Sequence, residues 1–210
     1  MPKLPAPPSR GQLAARFPPG VKRLREGTLV WRIYFRDGPH PVGWSGFRHF
    51  GPVPSMRFDQ HSSPARRQAR GIMDGALRIY TCFAEVFQHT RTIKRSRKRP
   101  WLVGFELTRS VSLLDLMGTW PTKAGASMAL CSGRRDRARA WSLRIYEDYP
   151  AIEGLCYPSS MDRNQPAVAL YERVRDALPA RPVFHRALID PTLNSAIARA
   201  TTLFNYGEEP

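Results

Sequence analysis

A chain of 210 residues, 42% hydrophobic and 10% aromatic, holds enough apolar material for one substantial core, which excludes a disordered or fibrous protein. Its formal net charge of +16 points to a negatively charged partner. It contains no run of about 18 apolar residues and no apolar leader core near its start, so the expectation is a cytoplasmic protein with no membrane partner.

Residues 1–20, MPKLPAPPSRGQLAARFPPG, are too proline-rich for a helix and lack the alternation of a strand, so they read as an arm wrapping the body. Residues 28–35, TLVWRIYF, are β-branched and aromatic and stop at the Asp37-Gly38 turn signal, which predicts an early strand. Residues 38–64 are crowded with glycine and proline and read as one long loop, a feature more often functional than idle.

From 76 to 90, ALRIYTCFAEVFQHT spaces Ile79, Phe83 and Phe87 as one stripe of an α-helix. Glu85 lies about 200° around that helix from Phe83, with Arg78, Cys82 and His89. It is therefore either an ordinary exposed charge or a group presented to a cleft. A basic loop leads into residues 101–107, an alternating strand, and a further apolar segment at 111–116. Residues 134–146 predict a second amphipathic helix with Ala138, Trp141 and Ile145 inward. Its basic first turn opposes the helix dipole and hints at a bound anion or an acidic neighbour. Residues 154–160, GLCYPSS, read as a strand entering a turn, 167–171 and 183–189 as two more strands, and 192–204 as a last helix docked on the sheet. Strands and helices mix without βαβ alternation, so the fold class is α+β in a single domain.

Cys82, Cys131 and Cys156 form no CxxC pair and suit reduced thiols, and the histidines (His40, His49, His61, His89, His185) show no HxH or HExxH spacing, so no metal site is expected. Two basic clusters, Arg91 to Arg99 and Arg134 to Arg139, either neutralise phosphates or form solvated faces. Neither has the interleaved aromatics or the recognition frame of a nucleic-acid-binding module, so direct nucleic-acid binding is the less favoured alternative. GxGxxG, GxxxxGK[ST] and GxSxG are absent, which removes dinucleotide redox enzymes, P-loop nucleotidases and common esterases. What stands out instead is scattered: Arg32 on the first strand, Arg57 in MRFD, Glu85 on the helix and Ser159 in YPSS. Taken singly, Arg32 reads first as half of an internal ion pair and Ser159 as a turn cap.

In their order along the chain these residues resemble the RES-domain family, the toxin half of many bacterial toxin–antitoxin pairs. The resemblance runs through TLVWRIY, MRFD, RGIMDGALRIYTCFAEVFQ, WLVGFEL and EGLCYPSSMDRNQPAVALYE. It implies a mainly antiparallel sheet flanked by helices, similar to ADP-ribosyltransferases, with residues 28–210 as the catalytic domain behind an arm at 1–27. The implied activity is cleavage of the nicotinamide–ribose bond of NAD, by phosphorolysis or hydrolysis, or transfer of ADP-ribose to a protein. Glu85, Arg32, Arg57 and Ser159 are then the catalytic set, with Tyr34 and Met73 added as substrate-binding positions. Met73 stands where the family commonly has a tyrosine about a dozen residues before the glutamate. NAD is substrate rather than cofactor, inorganic phosphate is the co-substrate of phosphorolysis, and the implied partners are an Xre-type helix-turn-helix antitoxin and a second copy of the chain.

Overall fold

A computed structural model describes residues 4–38 and 41–210. The first three residues of the predicted arm, and Pro39 and His40 of the long loop, lie outside the described residues. Among those described, a nine-stranded sheet forms the frame. Its strands are β1 (Val21–Leu24), β2 (Leu29–Phe35), β3 (Arg48–Gly51), β4 (Arg66–Ala76), β6 (Pro100–Glu106), β7 (Val111–Asp115), β8 (Gly154–Pro158), β9 (Pro166–Tyr171) and β10 (Phe184–Ala187). They lie in the order β1-β7-β8-β9-β4-β2-β6-β10, with β3 beside β4. Only β7 and β8 run parallel; the other pairs are antiparallel. A small parallel pair joins β5 (Thr92–Lys94) to β11 (Gly207–Glu209). The helices are α1 (Gln12–Arg16), α2 (Ile79–Phe87), α3 (Trp120–Lys123), α4 (Ala129–Ser132), α5 (Arg135–Asp148) and α6 (Asn194–Phe204).

Strands with continuous apolar runs are buried on both faces, and the two-residue period divides them between cores. Ile72, Leu114, Leu155, Ala169 and Tyr171 pack under α5 through Ala138, Trp141 and Ile145. Ala76, Ile33 and Leu102 pack under α2 and α6 through Phe83, Phe87 and Ile197. Because Ile72 and Ala76 share a parity on β4, both helical layers cover the same face of the sheet. The opposite face is a separate core that contains Met73, Val30, Tyr34, Phe105, Cys156, Val168 and Leu170.

The α+β architecture stands, with three departures from the sequence reading. The arm holds a helical turn, α1, whose Gly11 and Leu13 amides donate to the Asp148 carboxylate at 2.8 and 3.0 Å, and it enters the sheet through β1. The long loop is interrupted by β3. The helix expected from residue 76 begins at Ile79, because the backbone up to Ala76 is committed to β4, which pairs with β9 over Ile72–Ala76.

Candidate active site

The split that makes the site lies between β2 and β4. These strands meet in register only at Trp31 and Ala76, then diverge while each stays paired on its far side, β2 to β6 and β4 to β9. At the fork a Cβ on Gly75 would lie 2.9 Å from the Trp31 carbonyl oxygen, so only glycine lets the strands touch there before parting. The opening is a cleft of about 410 Å³, within the ~300–1,000 Å³ usual for ligand sites. Helix α2 leaves β4 directly beside it, and the start of α5 closes the opposite wall.

Glu85 faces this cleft from α2, and Ser159 Oγ donates to its Oε1 at 2.5 Å. Burial raises the Glu85 pKa, the Ser159 hydrogen bond opposes that shift, and the nearby negative charge of Asp74 adds to it. Ser159 itself is fully buried and forms no part of the cleft wall. Its hydroxyl also accepts from the Met161 and Asp162 amides at 3.2 and 3.1 Å, so it caps the turn after β8 and fixes Glu85 at once. It is a positioning residue, reached by a cleft ligand only through Glu85.

Arg32 borders the cleft, 7% exposed. Its Nη1 donates to the carbonyls of Trp44 and Gly46 at 2.7 and 2.9 Å, which leaves the rest of the guanidinium fork for the cleft. Burial lowers its pKa to about 10, with Asp74 opposing, so it remains charged at neutral pH. Arg57 also lines the cleft and donates to the Gly133 carbonyl at 2.7 Å. Its loop is clamped at both ends. Asp59, fully buried, accepts from the Val53 amide at 2.8 Å and forms an ion pair with Arg48 Nη2 at 3.0 Å, and Arg139 donates to the Pro54 and Met56 carbonyls at 2.7 and 3.3 Å.

Tyr34 reaches the cleft wall, but it is buried and its hydroxyl pairs with His185 Nε2 at 2.7 Å. Met73 does not reach it. At 1% exposure it lies in the core of the opposite face, because β4 alternation turns Ile72 and Asp74 to the cleft and residue 73 away from it. The expected substrate contact at Met73 is thus corrected: the cleft-facing position of that strand is Asp74. An aromatic ring is supplied instead by Tyr157 on β8, which lines the cleft and packs on Phe58 with centroids 4.6 Å apart.

Sequence reasoning missed Asp74, Tyr157, Arg48 and Arg135, all of which line the cleft. The signal for Asp74 was its parity with Ile72 and Ala76, a lone charge among buried positions. The signal for Arg135 was the basic first turn of α5. There the acidic neighbour is Asp136, paired to Arg134 at 2.8 Å, while Arg135 presents its charge to the cleft and depresses the Arg57 pKa, second to burial. The other basic cluster is partly spent internally: Lys94 pairs with Glu209 and Arg95 with Glu208, each at 2.9 Å. All three cysteines are free and buried, and no helix among the described residues is long and apolar enough to cross a membrane.

A family model described as the RES domain matches residues 29–191. The chain belongs to the RES family. The matched span of this RES domain opens on β2 and closes after β10, so every cleft residue named above falls within it. The solved crystal structure of the M. tuberculosis MbcT–MbcA toxin–antitoxin complex contains a chain with the same fold. The match has a TM-score of 0.58 at 14% identity, covering 90% of this chain and 95% of that one. No curated protein matches the RES chain.

Proposed function

We propose that this RES protein is a toxin-type enzyme that breaks the nicotinamide–ribose bond of NAD. The observation that carries the reading is the convergence of Glu85, locked by Ser159, with Arg32 and Arg57 around one cleft of ligand-binding size. Guanidinium groups bind diphosphate oxygens as planar forked donors and keep their charge at neutral pH. Arg32 and Arg57 hold the diphosphate, with Arg48 and Arg135 adding positive charge along the same walls. Tyr157 offers its ring for stacking on a planar base.

The C–N bond breaks with its electron pair leaving on nicotinamide, which departs neutral from a cationic ring and needs no proton donor. Positive charge grows on the ribose ring, and the Glu85 carboxylate stabilises that charge more than it stabilises the ground state. A phosphate oxygen then forms the new bond to C1 of the ribose, or water does so and releases a proton to solvent. The positive wall favours phosphate. Support for the toxin role comes from membership of the RES family and from the occurrence of the same fold in a toxin–antitoxin complex. An Xre-type antitoxin covering the cleft, and a second copy of the chain, are the partners that go with it.

Incubating purified protein with NAD, with and without phosphate, tests the chemistry. Nicotinamide accumulates in step with NAD loss, and dependence on phosphate assigns phosphorolysis over hydrolysis. Radiolabel retained on protein assigns ADP-ribose transfer instead, and intact NAD under all conditions overturns the reading.

A further inference from the structure

Asp74 is the charged group of the cleft for which that chemistry has no use. On β4 it stands between Ile72, which packs under α5, and Ala76, which packs under α2, and it shares their face. It therefore occupies the bare strip of sheet between the two helical layers. The side chain is open to the cleft and, among the described residues, makes no hydrogen bond and no ion pair. A carboxylate set in a cleft with no protein donor is costly to keep charged; the surrounding protein pushes its pKa up while Arg48 and Arg32 pull it down. Its vacant lone pairs are thus held within electrostatic reach of Arg32, Arg48 and Glu85.

Two kinds of ligand group behave oppositely at such a position. A phosphate has no donor for the carboxylate and competes with it for Arg32 and Arg48. A vicinal diol offers two O–H donors, and paired hydrogen bonds to a charged acceptor are among the stronger polar contacts. We propose that Asp74 is a specificity-determining residue that accepts hydrogen bonds from the hydroxyls of the ribose next to the scissile bond. The assignment rests on the NAD reading of the cleft, in which Glu85 faces that same ribose. It makes the strip between the helical layers the ribose subsite, with the diphosphate displaced toward Arg32 and Arg57.

The test compares ADP with ADP-ribose, which differ by that ribose alone, binding to wild-type protein and to the Asp74→Ala and Asp74→Asn variants by calorimetric titration. Asp74 supports no internal hydrogen bond, so both variants stay folded, and because they remove a charge that the surrounding protein disfavours they melt no lower than wild type at pH 7. If the inference holds, ADP binds more tightly to Asp74→Ala than to wild type, because competition for the arginines is gone. The advantage of ADP-ribose over ADP meanwhile shrinks by about tenfold or more, with Asp74→Asn between the two. If Asp74 serves only as a counter-charge, both ligands gain equally and the ratio stays at its wild-type value, which overturns the inference while NAD cleavage remains intact. If wild type binds neither ligand, the dinucleotide reading falls and this one falls with it.

Discussion

Ser159 Oγ donates to Glu85 Oε1 at 2.5 Å while accepting two backbone amides of its own turn. The bond joins the end of β8 to α2, elements 74 residues apart in sequence, and it favours the charged form of a carboxylate that burial pushes the other way. Removing the hydroxyl therefore raises the Glu85 pKa further. Ser159→Ala is expected to move the acid limb of the kcat/KM profile for nicotinamide release to higher pH, with most activity recovered in alkaline buffer. It also leaves the Met161 and Asp162 amides without their acceptor, a stability loss of about 1–2 kcal/mol by denaturant titration. An unmoved acid limb would separate Ser159 from Glu85 function.

Glu85→Gln should lower nicotinamide release by about 100-fold to 1,000-fold, the scale of losing one preorganised electrostatic group, with unchanged circular dichroism. Its stability effect runs the opposite way. The folded-state pKa of Glu85 lies above its unfolded value, so this group favours folding below the unfolded pKa, and that contribution is lost as pH rises through the folded pKa. At neutral pH the wild type therefore carries a deficit that glutamine does not. Thermal melts should show Glu85→Gln more stable than wild type at pH 7 and level with it at low pH. Full activity in the folded variant would remove Glu85 from the mechanism.

The sequence exposed whichever elements obey a clean period. The stripe Ile79, Phe83, Phe87 located α2, β-branched and aromatic runs located β2 and β6, and Ala138, Trp141 and Ile145 gave the inner face of α5. Strand β4 stayed hidden because RRQARGIMDGA places charges and glycines where the strand crosses solvent and then the cleft, so its alternation is not hydrophobic against polar. That one omission explains the misplacement of Met73: without the strand period there was no means of telling residue 73 from 74. Arg32 and Glu85 were legible as family positions. Arg135 and Tyr157 were not, because their roles depend on which walls meet across a split sheet, which no local pattern encodes.

Arg32 illustrates why lysine is a poor substitute in this cleft. One guanidinium nitrogen bridges the Trp44 and Gly46 carbonyls while the rest of the group borders the cleft. A single ammonium cannot cover both carbonyls and still present a planar fork to a diphosphate. Arg32→Lys should retain the fold yet raise the KM for NAD by about tenfold or more. Arg32→Ala should in addition cost about 2–3 kcal/mol of stability by leaving the loop carbonyls unpaired. Equal KM values for wild type and Arg32→Lys would assign this arginine to loop anchoring alone.

Arg139 lies outside the cleft wall but ties α5 to the loop that carries Arg57, through the carbonyls of Pro54 and Met56. It is only half-buried and makes no ion pair with any described residue, so its removal costs little global stability, about 1 kcal/mol or less. The effect falls on position. With one clamp gone the segment 54–57 is held by the Asp59 contacts behind it and by the single Arg57 to Gly133 bond, and the Arg57 guanidinium samples more orientations. With Arg57 holding substrate in the ground state and the transition state alike, as proposed, Arg139→Ala should raise the KM for NAD several-fold with kcat nearly unchanged, and Arg139→Lys should restore part of the loss. A fall in kcat at constant KM would show instead that the loop acts in the bond-breaking step.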